Sequence, residues 1–252
     1  MNILPRHAKI VACDSHTYHN RPVVASGLRL DEPGSVVAYG NSVNSSRSDS
    51  SFRHADPFDD PHWLFELKHE GIRALAVVRR GNVGFLSETG RWLSAFPQLA
   101  AAMRKQLSVE EAILVGSIAA PDRAGRTALS RLAHRPEEAR FYAFDLIWLD
   151  GQDRRAVPLL SRKERLRELL PPRSDRVIFV GHVREYGTVL HRLACRHNLP
   201  GIIAKRADIA YDSLSMKFGW IEIQNPRYGR VTEHAESEWR TGKKRTARRR
   251  SR

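Results

Sequence analysis

The stretch IRALAVVRRGNVGFLSE, residues 72–88, constrains the fold most, because two runs rich in branched and aromatic residues are separated only by Arg80-Gly81-Asn82. A glycine-containing turn that short returns the chain directly on itself, so the two runs form an antiparallel hairpin. Strand character recurs in WLFELK (63–68), AILVGSIAA (112–120), RFYAFDLIWLDG (140–151), RVIFV (176–180), GIIAKR (201–206) and WIEIQN (220–225). Helical segments fall irregularly between them. FPQLAAAMRKQL places Leu99, Met103 and Leu107 on one helical stripe. SRKERLRELL carries Ser161 and Glu164 in a capping-box pattern, and GTVLHRLACRHN reads as a third helix. Irregular interleaving with an early hairpin predicts an α+β fold built on antiparallel sheets rather than a doubly wound parallel sheet.

Charge narrows the choice of partner. The 252 residues include 42 Lys and Arg against 28 Asp and Glu, a formal net charge of +14, which suits a polyanion gripped through its phosphates. Eight of those cations lie in the last thirteen residues, RTGKKRTARRRSR, and without them the excess is +6. Lys243, Lys244, Arg245, Arg248, Arg249 and Arg250 are therefore the expected nucleic-acid-binding residues of a basic tail. Two distant cysteines, Cys13 and Cys195, match no metal-ligand spacing and suit a reducing compartment. No signal peptide and no membrane span is expected, and a cytoplasmic, nucleoid-associated protein is. Residues 1–55, rich in Ser, Asn, Asp, Gly and Pro as in GNSVNSSRSDSSFRHADPFDD, are expected to form a disordered extension, with one domain over 56–230 and the basic tail over 231–252.

From Trp63 to Tyr228, about two thirds of the chain, short motifs follow one another in an order that resembles the adenylation (nucleotidyltransferase) domain of ATP-dependent DNA ligases of the bacterial end-joining and repair type. FELKHEGIR is similar to the nucleophile motif Lys-x-Asp-Gly-x-Arg, with Glu70 in place of aspartate. FDLIWLDG followed by VPLLSRKERLREL, then PGIIAKRADIAY, then GWIEIQNPRY resemble the motifs that come next. The resemblance implies a ligase-type nucleotidyltransferase fold, with antiparallel sheets flanked by helices and no OB-fold domain in this chain. It also implies ATP, with magnesium or manganese, as cofactors if the site is active. Lys68 would be the catalytic nucleophile, attacking the α-phosphorus to give a lysine-AMP intermediate. Arg73 would hold ribose or phosphate, Glu66 would face the adenine, Phe144 would stack on it, and Lys205 would complete the nucleotide site.

Several positions depart from that pattern. Ser117 and Pro200 stand where the family places two metal-associated glutamates, so no metal ligand is assigned. Glu222 and Gln224 replace a Lys-x-Lys pair that meets the phosphates, and Glu88 replaces an arginine. Lys217 and Arg227 are the cations nearest in sequence that could compensate. Magnesium prefers charged oxygen ligands, and at an effective dielectric of 20 two unit charges 4 Å apart interact by about 4 kcal/mol, so these exchanges act against phosphoryl transfer. The favoured expectation is a degenerate adenylation domain that binds DNA, alone or with a separate repair or DNA-binding protein, with weak or no self-adenylation. The alternative is an active minimal ligase using Lys68.

Overall fold

The computed structural model describes residues 53–88, 90–212 and 218–228. Within them the strands are β1 (Arg53–His54), β2 (Asp60–Leu67), β3 (Ile72–Arg79), β4 (Asn82–Ser87), β5 (Glu111–Ala119), β6 (Arg140–Leu149), β7 (Gln152–Asp153), β8 (Val177–Phe179), β9 (His182–Glu185), β10 (Gly201–Arg206) and β11 (Trp220–Gln224). The helices are α1 (Pro97–Gln106), α2 (Leu129–His134), α3 (Leu159–Leu169) and α4 (Gly187–Arg196). The strands form two sheets, the first in the order β1-β11-β10-β2-β9 and the second in the order β4-β3-β5-β6-β7, with β8 alongside β6. Pairings are antiparallel except β1 with β11 and β8 with β6.

The hairpin that anchors the second sheet has a two-residue loop. Arg79 pairs with Asn82, and both Arg80 (φ 45°) and Gly81 (φ 72°) take positive φ, the combination whose twist matches that of the flanking strands. Glycine is required for a different reason at Gly71, in the connection from the first sheet into β3. A Cβ there would lie 2.3 Å from the carbonyl oxygen of Ile118, so only a residue without a side chain lets the chain cross that closely.

Three apolar layers hold the elements together. The outer face of the second sheet packs Ala74, Ala76, Phe85, Leu114 and Phe141 against Leu99 and Met103 of α1 and Leu166 of α3. Between the sheets, Leu75, Val115, Tyr142 and Phe144 meet Trp220 of β11. The outer face of the first sheet buries Phe65, Ile202, Ala204, Ile221 and Ile223 against Ala194 of α4. Alternation along each strand thus delivers one face to a helix and the other to the space between the sheets.

The expected α+β architecture and its main strands and helices are present, with specific differences. β9 and α2 were not anticipated, since HVRE and LSRLAH are short and polar. β1 forms at Arg53–His54, ahead of the expected domain start at 56. The capping box at Ser161 and Glu164 does not form, because α3 begins at Leu159 with Pro158 at its N-cap and no side-chain cap. Its first free amides are met from outside instead: the N–H groups of Leu159 and Leu160 donate to the carbonyls of Ile209 (3.0 Å) and Ala207 (2.9 Å), in the loop after β10.

The same helix carries two fully buried cations that an amphipathic reading does not expect. Arg162 grips Asp145 of β6 with two hydrogen bonds, Nε to Oδ1 at 2.7 Å and Nη2 to Oδ2 at 2.8 Å, and also donates to the Ile209 carbonyl at 3.0 Å. Breaking a buried pair from one side strands the other charge. Arg162→Met should therefore lower the unfolding free energy by about 3–5 kcal/mol in urea titration, whereas Asp145→Leu combined with Arg162→Met should cost distinctly less.

Candidate functional site in the layer between the sheets

Strand register decides which side chains meet. In the first sheet Ile203 of β10 lies opposite Glu66 of β2 and Glu222 of β11, and Lys205 lies opposite Leu64 and Trp220. Directly opposed residues share a face, so Glu66, Lys205, Trp220 and Glu222 point together toward the second sheet. The N–H of Lys68 donates to the Gly201 carbonyl at 3.1 Å, which carries the β2 pairing one step past its end and keeps Lys68 in phase with Glu66. In the second sheet Arg73, Ser117 and Tyr142 are opposed across β3, β5 and β6, and Phe144 follows two residues later.

Lys68 and Lys205 accordingly occupy one face, and Arg73 and Phe144 approach from the other sheet. Lys205 Nζ lies 4.1 Å from the ring centroids of both Phe144 and Trp220, and the Arg73 guanidinium carbon lies 5.5 and 5.4 Å from the same two rings. The Phe144 ring is thus already faced by a lysine, with Trp220 edge-on at 5.9 Å. Trp220 was not singled out from sequence, although it opens the WIEIQN segment.

Each retained cation has a carboxylate against it. Lys68 Nζ sits 2.5 Å from Glu222 Oε1, and Gln224 Nε2 donates to the same oxygen at 3.0 Å. Arg73 Nε sits 2.7 Å from Glu88 Oε1. Lys205 donates to Glu66 Oε2 at 2.6 Å, while Lys163 of α3 donates to Glu66 Oε1 at 2.5 Å and to the carbonyl of Val180 at 2.9 Å. Lys163 is another residue sequence reading missed, because a lysine in a charge-rich helix ordinarily faces solvent.

Burial sets the ionisation of this group. It pushes the Lys205 ammonium down to about 8, against the pull of Glu66 and with the repulsion of Lys163. Burial also raises the Glu66 carboxyl, but the charges of Lys163 and Lys205 outweigh it and leave the group below its usual range. Both oxygens of Glu66 are thus committed to lysines.

The substituted positions offer little to a metal. Ser117 is buried and brings one hydroxyl, and the Pro200 carbonyl is used by the Asn225 N–H at 2.9 Å. Among the described residues no group of three His, Cys, Asp or Glu is arranged to hold a metal ion. The donor set does not fit magnesium, since the cleft carboxylates Glu88 and Glu222 are each held by a cation. Arg227, the suggested compensating cation, lies exposed on the turn after β11. Its charge reaches the Cys195 thiol of α4, on the far side of the first sheet, where burial raises the thiol and Arg227 opposes that rise. Lys217 and the tail residues Lys243, Lys244, Arg245, Arg248, Arg249 and Arg250 lie outside the described residues.

His69, beside the Lys68 position, belongs to the contact between the sheets. It follows the end of β2 and stacks on Tyr142 of the second sheet, with ring centroids 4.2 Å apart and 26° between planes. The contact bridges the two sheets beside Lys68.

A family model described as "ATP dependent DNA ligase domain" matches residues 46–223. The chain is 32% identical over 169 residues to the multifunctional non-homologous end joining protein LigD of Pseudomonas aeruginosa, covering 64% of the chain and 20% of that protein. It is 30% identical over 185 residues to the end joining DNA repair protein LigD of Mycobacterium tuberculosis, 71% of the chain and 23% of that protein. A DNA ligase-like protein LigB of Bacillus subtilis is 28% identical over 181 residues, covering 70% of the chain and 66% of that protein. The chain therefore spans about a fifth of the length of the LigD relatives. A solved structure of mycobacterial DNA ligase D complexed with ATP and MES superposes with a TM-score of 0.58 at 23% identity, over 69% of the chain and 58% of that structure, which shows a shared fold.

Burial pushes the His69 imidazole down to about 4, with Glu66 opposing it. A depressed folded value means that the unfolded chain binds the proton more tightly, so the stability His69 contributes is complete above about pH 6.5 and is lost as pH falls toward 4. Allowing for its partial exposure, the effect is of order 1–2 kcal/mol. His69→Phe, which keeps a ring against Tyr142, should flatten the fall in unfolding free energy between pH 6.5 and 4, and an unchanged slope would show that His69 does not titrate there.

Proposed function

The chain belongs to the ATP-dependent DNA ligase domain family, and from that premise we propose that it is a degenerate adenylation domain that binds DNA in end joining or repair, with weak or no self-adenylation. The observation that carries the reading is the Glu222 carboxylate 2.5 Å from Lys68 Nζ. An amine held against a carboxylate must break that pair before it can attack, and the same carboxylate stands where the anionic phosphates of a nucleotide would approach.

Arg73 supports the same reading from the other sheet, since Glu88 holds it at 2.7 Å. Two family positions that carry cations elsewhere thus carry anions here, and each anion is matched to a cation the chain kept. The interaction of one unit charge with another at 4 Å runs from about 1 kcal/mol in water to about 4 kcal/mol at an effective dielectric of 20. Losing one such attraction therefore weakens nucleotide or transition-state binding by roughly fivefold to a thousandfold, a repulsion in its place adds to that, and the two positions act together.

DNA as partner is supported by the family and by the formal net charge of +14. No described helix is long and apolar enough to cross a membrane, and a cytoplasmic, nucleoid-associated location suits the reading. A separate repair protein acting on the same DNA would then supply the sealing chemistry.

Intact mass after incubation with ATP and magnesium or manganese tests the chemistry directly. The unmodified protein should gain no AMP, or gain it very slowly. Combining Ser117→Glu, Pro200→Glu, Glu222→Lys and Gln224→Lys, with Glu88→Arg if needed, should raise adduct formation, and Lys68→Ala in that background should abolish it. Stoichiometric, Lys68-dependent gain of AMP within minutes by the unmodified protein would overturn the degenerate reading.

The tail is tested separately. Eight cations in residues 240–252 contact phosphates without reading bases, so their removal should weaken binding to all DNA sequences alike and flatten the salt dependence. Equal affinity and salt slope after truncation would make the tail a bystander.

A further inference from the structure

Residues 121–140 form a groove outside the layer between the sheets. It encloses about 760 Å3 and is lined by Arg123, Arg126, Arg131, Arg135 and Arg140, with Asp122 and Glu138 as its acidic members. Five guanidinium groups against two carboxylates leave the lining at +3. A smaller depression of about 310 Å3 adjoins it, shares Ala124 and Arg126 with it, and has Lys68 and His69 in its wall.

The groove is held in shape rather than left as a loose set of surface charges. Asp122 Oδ1 accepts the N–H groups of Ala124 and Arg126, both at 2.9 Å, which folds residues 122–126 into a tight turn with Gly125 at φ 81°. Asp122 Oδ2 holds Arg126 through Nε at 2.9 Å and Nη2 at 2.8 Å. Arg131 Nε donates to the Pro121 carbonyl at 2.8 Å and its Nη2 contacts Glu138, which also holds Arg135 Nη2 at 2.9 Å. A guanidinium has five donors in a rigid fork, so each arginine so anchored keeps N–H groups for another acceptor. Arg123 and Arg140 pair with no carboxylate among the described residues.

We propose that this arginine groove is a binding track for the phosphate backbone of duplex DNA, separate from the nucleotide cleft and leading from it along residues 121–140. The inference rests on the DNA-binding reading above and says where on the described domain that binding occurs. Arginine forks match phosphate oxygens in pairs of hydrogen bonds, and a groove with net positive lining takes up phosphates by releasing their counterions. Because backbone contacts carry no base information, the track grips any sequence.

Fluorescence anisotropy with a labelled DNA duplex, measured across a range of salt with the full chain, tests this. Arg123→Ala combined with Arg140→Ala removes two contacts that no described carboxylate depends on. At about 0.1 M salt the pair should lose roughly tenfold to a hundredfold in affinity, and the slope of log affinity against log salt should flatten by about 1.8. Arg123→Lys with Arg140→Lys should restore most of both, because point charges suffice for counterion release, and this separates lost charge from lost folding. Inorganic phosphate at matched ionic strength should not displace the duplex. Unchanged affinity and slope in the alanine pair, with the wild type still binding, would sink the groove while leaving DNA binding intact. Displacement by inorganic phosphate would make it a small-anion site instead. If the wild type binds no duplex at all, the DNA-binding reading itself fails, and the groove proposal with it.

Discussion

The buried Glu66 carboxylate, clamped between Lys163 and Lys205, is the interaction on which the arrangement of the site depends. Glu66 comes from β2, Lys205 from β10 and Lys163 from α3, the helix that packs on β6 of the second sheet. One carboxylate therefore ties the first sheet to an element of the second, at a depth where none of the three is more than 3% exposed. Taking these charges out of water is costly, and the cost is met only because both carboxylate oxygens and two backbone carbonyls receive the lysine protons. Such a cluster has little tolerance for rearrangement. It sets the spacing between the sheets, and with it the distances at which Phe144, Trp220 and Arg73 meet.

Around that fixed centre, the rim of the cleft shows a second pattern. Glu222 and Glu88 lie on different sheets, far apart in sequence, yet each closes on a cation that the nucleotide motifs retain. A single exchange of cation for anion leaves an unmatched charge. Matching it to a neighbouring lysine or arginine neutralises the rim and makes the apo cleft self-consistent. Both cations are thereby held by carboxylates on the rim.

Most of the fold was legible because its elements carry strong local signals. The hairpin turn at Arg80-Gly81, the stripe of Leu99 and Met103, and the apolar run of β6 each state their structure within about ten residues. Elements that escaped, such as β1, β7, β9 and α2, are short, and β9 forms through pairing with β2 rather than on pattern. Motif order singled out Lys68, Arg73, Phe144 and Lys205, and sheet register places them on the facing sides of the two sheets. The ion pairs Lys68 to Glu222 and Arg73 to Glu88 were not, since residues 154 positions apart in the first case meet only through sheet register. Lys163 and Arg162 were the hardest to read. Nothing in SRKERLRELL distinguishes a cation bound for a buried carboxylate from one bound for water. Ser161 misled in the opposite direction, because the loop at Ala207 and Ile209 does the capping that its hydroxyl would have done.

DNA binding and phosphoryl transfer place different demands on a chain, and on the reading proposed above that difference lets one persist while the other declines. Backbone binding sums many similar contacts, each worth a modest factor and none indispensable, so a mildly basic body with an arginine groove can retain it through substitution. Phosphoryl transfer needs nucleophile, metal ligands and phosphate cations together, in one geometry, and loses on the order of a hundredfold when one is misplaced by about an ångström. On the reading proposed above, the substitutions fall on the second list: Ser117 and Pro200 where metal carboxylates are expected, Glu222 and Glu88 where cations are expected. The surface at Arg123, Arg126 and Arg140 is untouched by them. Lys68 remains in phase with Glu66 because strand register, not chemistry, holds it there, and a lysine kept by register beside Glu222 serves as an ion-pair partner.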